Sequence, residues 1–331
     1  TGAFSKEEIL ANQLQIDSAI DSITRISNTA SFGGLKLLNG TLDYRLSGLR
    51  ASAVTTAKIW NASFQTASAV RVDVDVVASA HRGELFFRGN TPVAGVMPSA
   101  LTLEVAGPKG VQVINLASGQ TFAQAVAAIN ATTAFTGISA SAIAASSVSG
   151  IVFRSDTYGT DAFVSVKRLN APTSDFFTQR VVKRADTAVG GPLSTWATGL
   201  TAATRDQGRD VQALVNGILA KGNGLAVNTN TSNLGADLTL TEAAAINPSA
   251  AVTSFYITGG GALFQLGPDV NALQQVNLGV PSIAASNLGG TLTSGAVQYL
   301  SSLRTGELND IRASVQRVNF GPSLQILDNA I

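Results

Sequence analysis

The chain has 331 residues, of which 45% are apolar, 6% aromatic and 13% charged, and its formal net charge is +1. So small a charge leaves no basic excess to neutralise phosphates, which argues against nucleic acid as a partner. The chain has no cysteine, so disulfides, thiol chemistry and zinc–thiolate sites are excluded. No run reaches the roughly 18 apolar residues of a membrane-spanning helix, so we expect no membrane insertion.

The N-terminal segment predicts an amphipathic helix. Ser5, followed three positions later by Glu8, has the pattern of a capping box. The helix should fade near residues 27–29 and stop before Gly33. Isoleucines recur along it at spacings of seven, four and three, which predicts one apolar seam for core packing or assembly. The seam consists of Ile9, Ile16, Ile20 and Ile23.

A second helical pattern closes the chain. Gly321 and Pro322 favour a helix start, and Leu324, Leu327 and Ile331 then share one apolar face. Amphipathic helices at opposite ends of a chain indicate that its termini meet. We therefore expect Ile16, Ile20 and Ile23 to face Leu324 and Leu327.

Between the two ends the pattern is mostly β. Residues 70–76 alternate valine with charged residues, which predicts a half-buried strand, and residues 101–105 alternate likewise. A turn at 107–110, a helix ending near Asn130 and further strands follow. These elements predict an α+β multidomain fold. Its helical core domain would combine residues 1–51 and 253–331 and include a β-hairpin, and residues 52–252 would form a β-rich outer insertion.

Two edges of the chain carry a family resemblance. Residues 23–40, ITRISNTASFGGLKLLNG, resemble the signature that closes the N-terminal helix of the filament-core domain in bacterial flagellins. They depart from it at Thr24, where aspartate is usual, and at Gly33, where asparagine is usual. Residues 262–267, ALFQLG, are similar to the hairpin that returns a flagellin chain to that domain. Residues 300–304 and 323–331 are similar to its spoke segment and the start of its C-terminal core helix.

The middle of the chain carries a second resemblance. Residues 111–166 resemble the IN module of flagellin outer domains. The marks are a helix ending in AAIN at 127–130, the segment GISA at 137–140, and a strand pair split by Tyr158 and Gly159. We therefore expect the outer insertion to form one or two subdomains, one of them around residues 101–168.

The resemblance implies a secreted, extracellular structural subunit that polymerises with copies of itself into the flagellar filament for motility. The outer domain would face solvent on the filament surface. In flagellins, further terminal segments line the filament channel and serve the export chaperone and the cap and junction proteins. Those segments are absent here, so we interpret the chain as truncated at both ends. The resemblance implies no cofactor and no enzymatic activity.

The residue pattern itself gives little support to catalysis. The single histidine, His81, cannot build a two-histidine metal site, and it is the only candidate base for a catalytic triad. The glycine-rich segments 107–110 and 259–261 lack the lysine and hydroxyl of a phosphate loop, so they predict turns or bulges. We predict no catalytic, cofactor-binding or metal site.

Three groups of charges are expected to be solvated surface residues. Two of them are carboxylate pairs and the third is a basic cluster. They are Asp73 with Asp75, Asp206 with Asp210, and Arg180 with Lys183 and Arg184.

Other functions stay open from sequence alone. A hook–filament junction protein would share the terminal helices. A flagellin-like surface adhesin or polysaccharide-binding protein would use the outer β domains and should show an aromatic-lined groove. A polysaccharide-acting enzyme with a parallel β-helix would need a repeat of about 20–25 residues, and no such repeat is visible.

Overall fold

The computed structural model describes residues 5–64, 67–88, 96–97, 99–144, 149–170, 181–183, 201–248, 251–268, 275–293, 296–317 and 319–331. This part of the protein is mixed α/β, mostly β, with several antiparallel sheets. The helices are α1 (Lys6–Thr29), α2 (Phe122–Asn130), α3 (Thr133–Thr136), α4 (Glu242–Ala245), α5 (Ile311–Gln316) and α6 (Gly321–Ala330), with a 3-10 helix at Leu300–Leu303.

The strands are short, as expected for a chain rich in turns. They are β1 (Ser31–Phe32), β2 (Leu35–Lys36), β3 (Leu46–Ser47), β4 (Val54–Ala62), β5 (Val70–Ala78), β6 (Glu84–Arg88), β7 (Leu101–Gly107), β8 (Gly110–Leu116), β9 (Ile138–Ala144), β10 (Ser149–Ser155), β11 (Phe163–Arg168), β12 (Val181–Lys183), β13 (Thr201–Ala202), β14 (Arg205–Gln207), β15 (Gln212–Val215), β16 (Ile218–Leu219), β17 (Lys221–Asn223), β18 (Ala226–Asn230), β19 (Leu234–Leu240), β20 (Thr253–Ile257), β21 (Ala262–Gln265), β22 (Gln275–Leu278), β23 (Thr291–Thr293) and β24 (Ala296–Gln298).

Local chemistry explains where helices α1 and α2 begin. The side chain of Ser5 accepts a hydrogen bond from the backbone N–H of Glu8, and the Glu8 carboxylate accepts one from the N–H of Ser5, which confirms the predicted capping box. Thr121 and Gln124 form the same arrangement at the start of α2. Both pairs satisfy backbone donors that a helix start leaves without partners.

Two sheets enclose the first β core, which we call the inner unit. One sheet has the order β16-β15-β5-β20-β3 and the other β17-β18-β19-β4-β22-β21. Alternation along β5 places Val72 and Val74 inward, where they meet Ile59 of β4, Leu238 of β19 and Phe255 of β20. The predicted half-buried strand at 70–76 is therefore confirmed.

The described residues between 84 and 207 form a second β structure, which we call the inserted unit. Its sheets have the orders β13-β12-β6-β10-β9 and β14-β11-β7-β8. Phe122 and Ile129 of α2 complete a core shared with Leu103, Phe153 and Val164 of the strands. This buried cluster is separate from that of the inner unit, so each unit has an apolar core of its own.

The expected boundary between residues 252 and 253 requires a correction. Strand β20 pairs with β5 from Thr253 opposite Val74 to Ile257 opposite Val70, and β22 joins β4 through Leu278 opposite Asn61. Strands on both sides of the expected boundary thus share sheets and a core. The sequence did not reveal these pairings, because pairing between strands so distant in sequence leaves no local pattern.

Candidate assembly interface

Helix α1 packs its isoleucine face against the C-terminal segment. Ile20 is buried to 2% exposure, and Ile16 and Ile23 pack beside it one turn away in either direction. Their partners are Ala285, Leu288, Leu300, Leu303, Ile326 and Ala330. A spacing of three and four residues keeps these isoleucines on one helix face, so the seam has an apolar partner within the same chain.

A buried amide fixes the register of this contact. The Gln13 side chain donates to the carbonyl of Leu303 at 2.8 Å and to the Asp17 carboxylate at 2.9 Å. Its oxygen accepts from the backbone N–H of Ile311 at 2.8 Å. Gln13 is only 1% exposed. A buried amide costs free energy unless it is hydrogen-bonded, so these bonds favour one docking position of α1.

Two aspartates extend the contact at its exposed edge. Asp17 accepts from the Thr305 hydroxyl at 2.6 Å and from the Thr305 backbone N–H at 3.0 Å. Asp21 pairs with Arg304 at 2.6 Å. The hydrogen bond from the Thr305 hydroxyl is the main cause that lowers the pKa of Asp17 below its ordinary value. The contact therefore favours the charged form of Asp17.

Short polar side chains join α5 and α6 beneath α1. The Ser314 and Ser323 hydroxyl oxygens lie 3.0 Å apart, and Ser323 donates to the carbonyl of Asn309 at 3.1 Å. The Asn309 side chain donates to the Ser302 hydroxyl at 3.1 Å. We call α1 together with residues 285–331 the terminal unit.

The predicted apolar face of α6 is oriented differently from expectation. Ile326 is fully buried against the isoleucine face of α1, whereas Leu324 is 57% exposed, and Leu327 and Ile331 are exposed too. Helix α6 therefore has two apolar faces. The regular spacing of three and four residues from Leu324 onwards identified the face that is exposed to solvent. Periodicity alone does not show which of two apolar faces of a helix packs against the rest of the protein.

Helix α1 also exposes apolar residues. Leu10 and Leu14, one turn apart, are exposed on it, while Ile9 of the predicted seam is half-buried. Further large exposed apolar side chains follow in the β1–β2 hairpin, at Phe32 and Leu35. An exposed apolar surface on both terminal helices is a common property of association sites. We call Leu10, Leu14, Leu324 and Leu327 the outward stripe.

The carboxylates singled out from sequence mostly stabilise the fold. Asp73 accepts from the Ser254 hydroxyl, which is the main cause of its lowered pKa, and it also pairs with Arg71. Asp206 accepts from the backbone N–H of Glu84. Asp210 accepts from the backbone of Gly224 and from Thr160.

His81 lies at a strand bridge with Arg209, and its Nε2 is 2.9 Å from the Ser79 hydroxyl. Ser79 is buried just after the end of a strand, so its contact with His81 fits a structural hydrogen bond better than a pair of accessible catalytic groups.

Arg180 and Arg184 of the predicted basic cluster lie outside the described residues. Among the residues that the structure describes, no three His, Cys, Asp or Glu side chains group as metal ligands. None of the described helices is long and apolar enough to cross a membrane.

A comparison with family models identifies one segment. Residues 100–157 match the flagellin hook IN motif. The match lies wholly within the inserted unit, covering β7 to β10 with α2 and α3, and supports a flagellar protein. The resemblance seen at residues 111–166 is thereby supported for most of that segment. The match spans less than a fifth of the chain.

Solved structures give only a distant likeness. The chain is similar to the flagellar cap protein FliD from Bdellovibrio bacteriovorus, with a TM-score of 0.37 and 12% identity over 64% of this chain and 98% of that one. It is similar to the D2-D3 domains of FliD from Escherichia coli, with a TM-score of 0.36 and 17% identity over 64% and 96%. It is also similar to FliD from Pseudomonas aeruginosa, with a TM-score of 0.38 and 16% identity over 61% of this chain and 83% of that one. TM-scores this low do not establish a common fold. A search of curated protein sequences finds no match.

Proposed function

We propose that this chain is a structural subunit of the bacterial flagellum that polymerises into the filament outside the cell. The observation that carries the proposal is the placement of the flagellar motif. It lies on a unit with its own core, while the two ends of the chain form another unit. This separation suits a subunit that assembles through its terminal unit and presents its inserted unit to solvent.

The outward stripe supplies the assembly surface in this proposal. Leu14 and Leu324 are 67% and 57% exposed. Burying such side chains against a neighbouring copy would remove apolar area from water, at about 25 cal/mol per Å². Partners would be copies of this chain, together with an export chaperone and cap or junction proteins. The resemblance of residues 23–40 to the flagellin signature favours the filament over other parts of the flagellum.

Immunogold electron microscopy of the source bacterium, with an antibody against the whole chain, tests the assignment. We expect label along the full length of the flagellar filament. Label confined to the filament tip would instead indicate a cap protein, and label confined to its base a junction protein. Label on the cell body alone would indicate an adhesin. Each of these three outcomes would overturn the filament assignment.

A second experiment tests the outward stripe. Leu14→Asp and Leu324→Asp, introduced into the gene of the source bacterium, should shorten or abolish filaments, because each would place a charge in a subunit contact. The matched control is Val113→Asp, which changes an exposed apolar residue of the inserted unit. Filaments of normal length in both stripe variants would rule out this surface as an assembly contact.

A further inference from the structure

A loop of the inserted unit reaches the inner unit beside the strands that connect the two. This loop, residues 156–162, joins β10 to β11. The connecting strands meet at the bridge between His81 and Arg209. Domains of one chain that share only a small polar contact usually move relative to each other. Two connecting strands alone would therefore leave the inserted unit free to turn.

The carboxylate of Asp210 binds both units at once. Its Oδ1 accepts from the backbone N–H of Gly224 at 2.7 Å, in the turn between β17 and β18 of the inner unit. Oδ1 also accepts from the backbone N–H of Thr160 at 3.1 Å, and Oδ2 accepts from the Thr160 hydroxyl at 2.8 Å. Hydrogen bonds to a charged acceptor are roughly twice as strong as those between neutral groups. One side chain thus joins the loop to the inner unit.

A glycine lets the two backbones approach each other around this carboxylate. A Cβ at Gly159 would lie 2.5 Å from the Asp210 Oδ1 and 2.8 Å from the backbone of Gly224. Gly159 also has a φ of 104°, which glycine adopts without steric cost. Its N–H donates to the carbonyl of His81 at 3.2 Å, so the loop is bonded to the bridge as well. Any side chain at position 159 would push the loop away from Asp210.

A second contact holds the same loop at another point of the inner unit. The Tyr158 hydroxyl donates to the carboxylate of Glu242, on α4, at 2.7 Å. The Arg82 guanidinium lies 4.4 Å from the centre of the Tyr158 ring and 3.4 Å from the Glu242 carboxylate. Helix α4 belongs to the inner unit, because Ala245 lies in its core. Contacts at α4, at the β17–β18 turn and at the bridge together oppose rotation of the inserted unit.

We propose that Asp210 latches the loop at residues 156–162 to the inner unit, so that the inserted and inner units turn as one rigid body. The bridge between His81 and Arg209 then acts as a hinge only when this latch is broken. Asp210 is a positioning residue, since it acts through Thr160 and Gly224. The inference goes beyond a role in filament assembly, because it concerns how one subunit holds its inserted unit and not which surface meets a neighbouring copy.

Residual dipolar couplings of the whole ¹⁵N-labelled chain, measured by NMR in a weakly aligning medium, test the latch. Two units that turn as one body share a single alignment tensor, whereas units that move relative to each other show two. We expect the backbone couplings of the inner and inserted units to fit one tensor in the unchanged chain. Because the chain is unassembled in this experiment, its result does not depend on whether the chain forms filaments.

Two variants should break the latch. Asp210→Ala removes the carboxylate, and Gly159→Ala keeps it but pushes the loop away, so the second covers the case in which the first fails to fold. In each variant we expect two tensors, while the couplings within each unit still fit one. That readout separates loss of orientation from loss of folding, which would disturb the couplings within a unit.

Each variant has a matched control. Asp161→Ala removes an exposed carboxylate from the same loop. Gly119→Ala places a side chain at another glycine of positive φ in the inserted unit, where a Cβ would meet nothing within 4 Å. Both controls should keep one shared tensor. Two tensors in the unchanged chain, one shared tensor in a folded Asp210→Ala or Gly159→Ala chain, or two tensors in either control would overturn the proposal.

Discussion

His81 and Arg209 exchange two backbone hydrogen bonds, at 2.8 and 3.0 Å, although the whole inserted unit lies between them in the sequence. The chain therefore enters and leaves that unit through one antiparallel bridge. The geometry is that of a residue pair closing a two-residue hairpin loop. Of the described residues between the two, only Tyr158 packs against the core of the inner unit, and only partly.

This bridge predicts that the inserted unit can be removed. Replacing residues 82–208 by Asn-Gly should leave a chain that unfolds in one cooperative transition, because Asn-Gly favours the type I′ turn that such a hairpin needs. Thermal unfolding followed by far-UV circular dichroism measures this. As a control, joining Gly48 to Ser254 by a short linker removes β4, β5 and β19, so that chain should show no cooperative transition. A shortened 82–208 chain that melts gradually would contradict the division into units.

Replacing Ile20 tests the docking of α1. Ile20→Asp should lower the free energy of unfolding of the terminal unit by about 2–4 kcal/mol, because it buries an unpaired charge among Leu300, Leu303 and Ile326. Denaturant titration followed at 222 nm reports the loss of α1. Leu14→Asp, at a 67% exposed position of the same helix, is the control and should change the unfolding free energy little. Equal effects of the two substitutions on the unfolding free energy would contradict the packing of Ile20 against Leu300, Leu303 and Ile326.

Acid should weaken the same contact through Asp17. The hydrogen bond from the Thr305 hydroxyl lowers the pKa of Asp17 in the folded state. Its contribution to stability is therefore fully present above the ordinary value of 3.8 and is lost as the pH falls through the lower folded-state value. Asp17→Asn should be less stable than the unchanged chain at neutral pH, and the difference should shrink in acid. The control is Asp161→Asn, at an exposed aspartate of the inserted unit. A difference that stays constant down to about pH 2 would refute the linkage.

The contact between Tyr158 of the inserted unit and Glu242 should be detectable by titration at alkaline pH. Tyr158 donates its hydroxyl to Glu242 at 2.7 Å, and the Arg82 guanidinium lies 4.4 Å from the centre of its ring. Burial is the main cause that raises the pKa of Tyr158 above 10.0, and the hydrogen bond to Glu242 raises it further. Stability from this group is present below pH 10 and is lost as the pH rises through the higher folded-state value.

Tyr158→Phe should therefore remove one late-ionising tyrosine from an absorbance titration. It should also cost about 0.5–1.5 kcal/mol at neutral pH through the lost hydrogen bond. Tyr256→Phe, at an exposed position of β20, is the comparison. If Tyr158→Phe leaves the late phase unchanged, the contact with Glu242 does not form in solution.

The sequence predicted individual helices and strands better than it predicted which of them pack together. The capping box at Ser5, the strand at 70–76, the helix ending at Asn130 and the helix starting at Gly321 all depend on neighbouring residues, and the structure confirms them. The partners of β20 and the buried face of α6 depend on residues far away in the chain. Local periodicity carries no information about them.

The candidate sites divide in the same way. Ile20 could be found because its spacing matches a helix face. Gln13 was missed, since a glutamine on a helix usually faces solvent and only its contacts with Leu303 and Ile311 reveal its burial.

The contact between Gln13 and Leu303 spans 290 residues, which has a consequence for the order of folding. The inner and inserted units close over shorter loops, whereas α1 gains its partners only when residues 285–330 are available. Contacts of such long separation form slowly, because a large loss of chain entropy precedes them. A nascent chain therefore keeps α1 undocked, with both its isoleucine face and its outward leucines accessible, until residues 285–330 have been synthesised. Of the three units described, the terminal unit is the last to gain its long-range contacts.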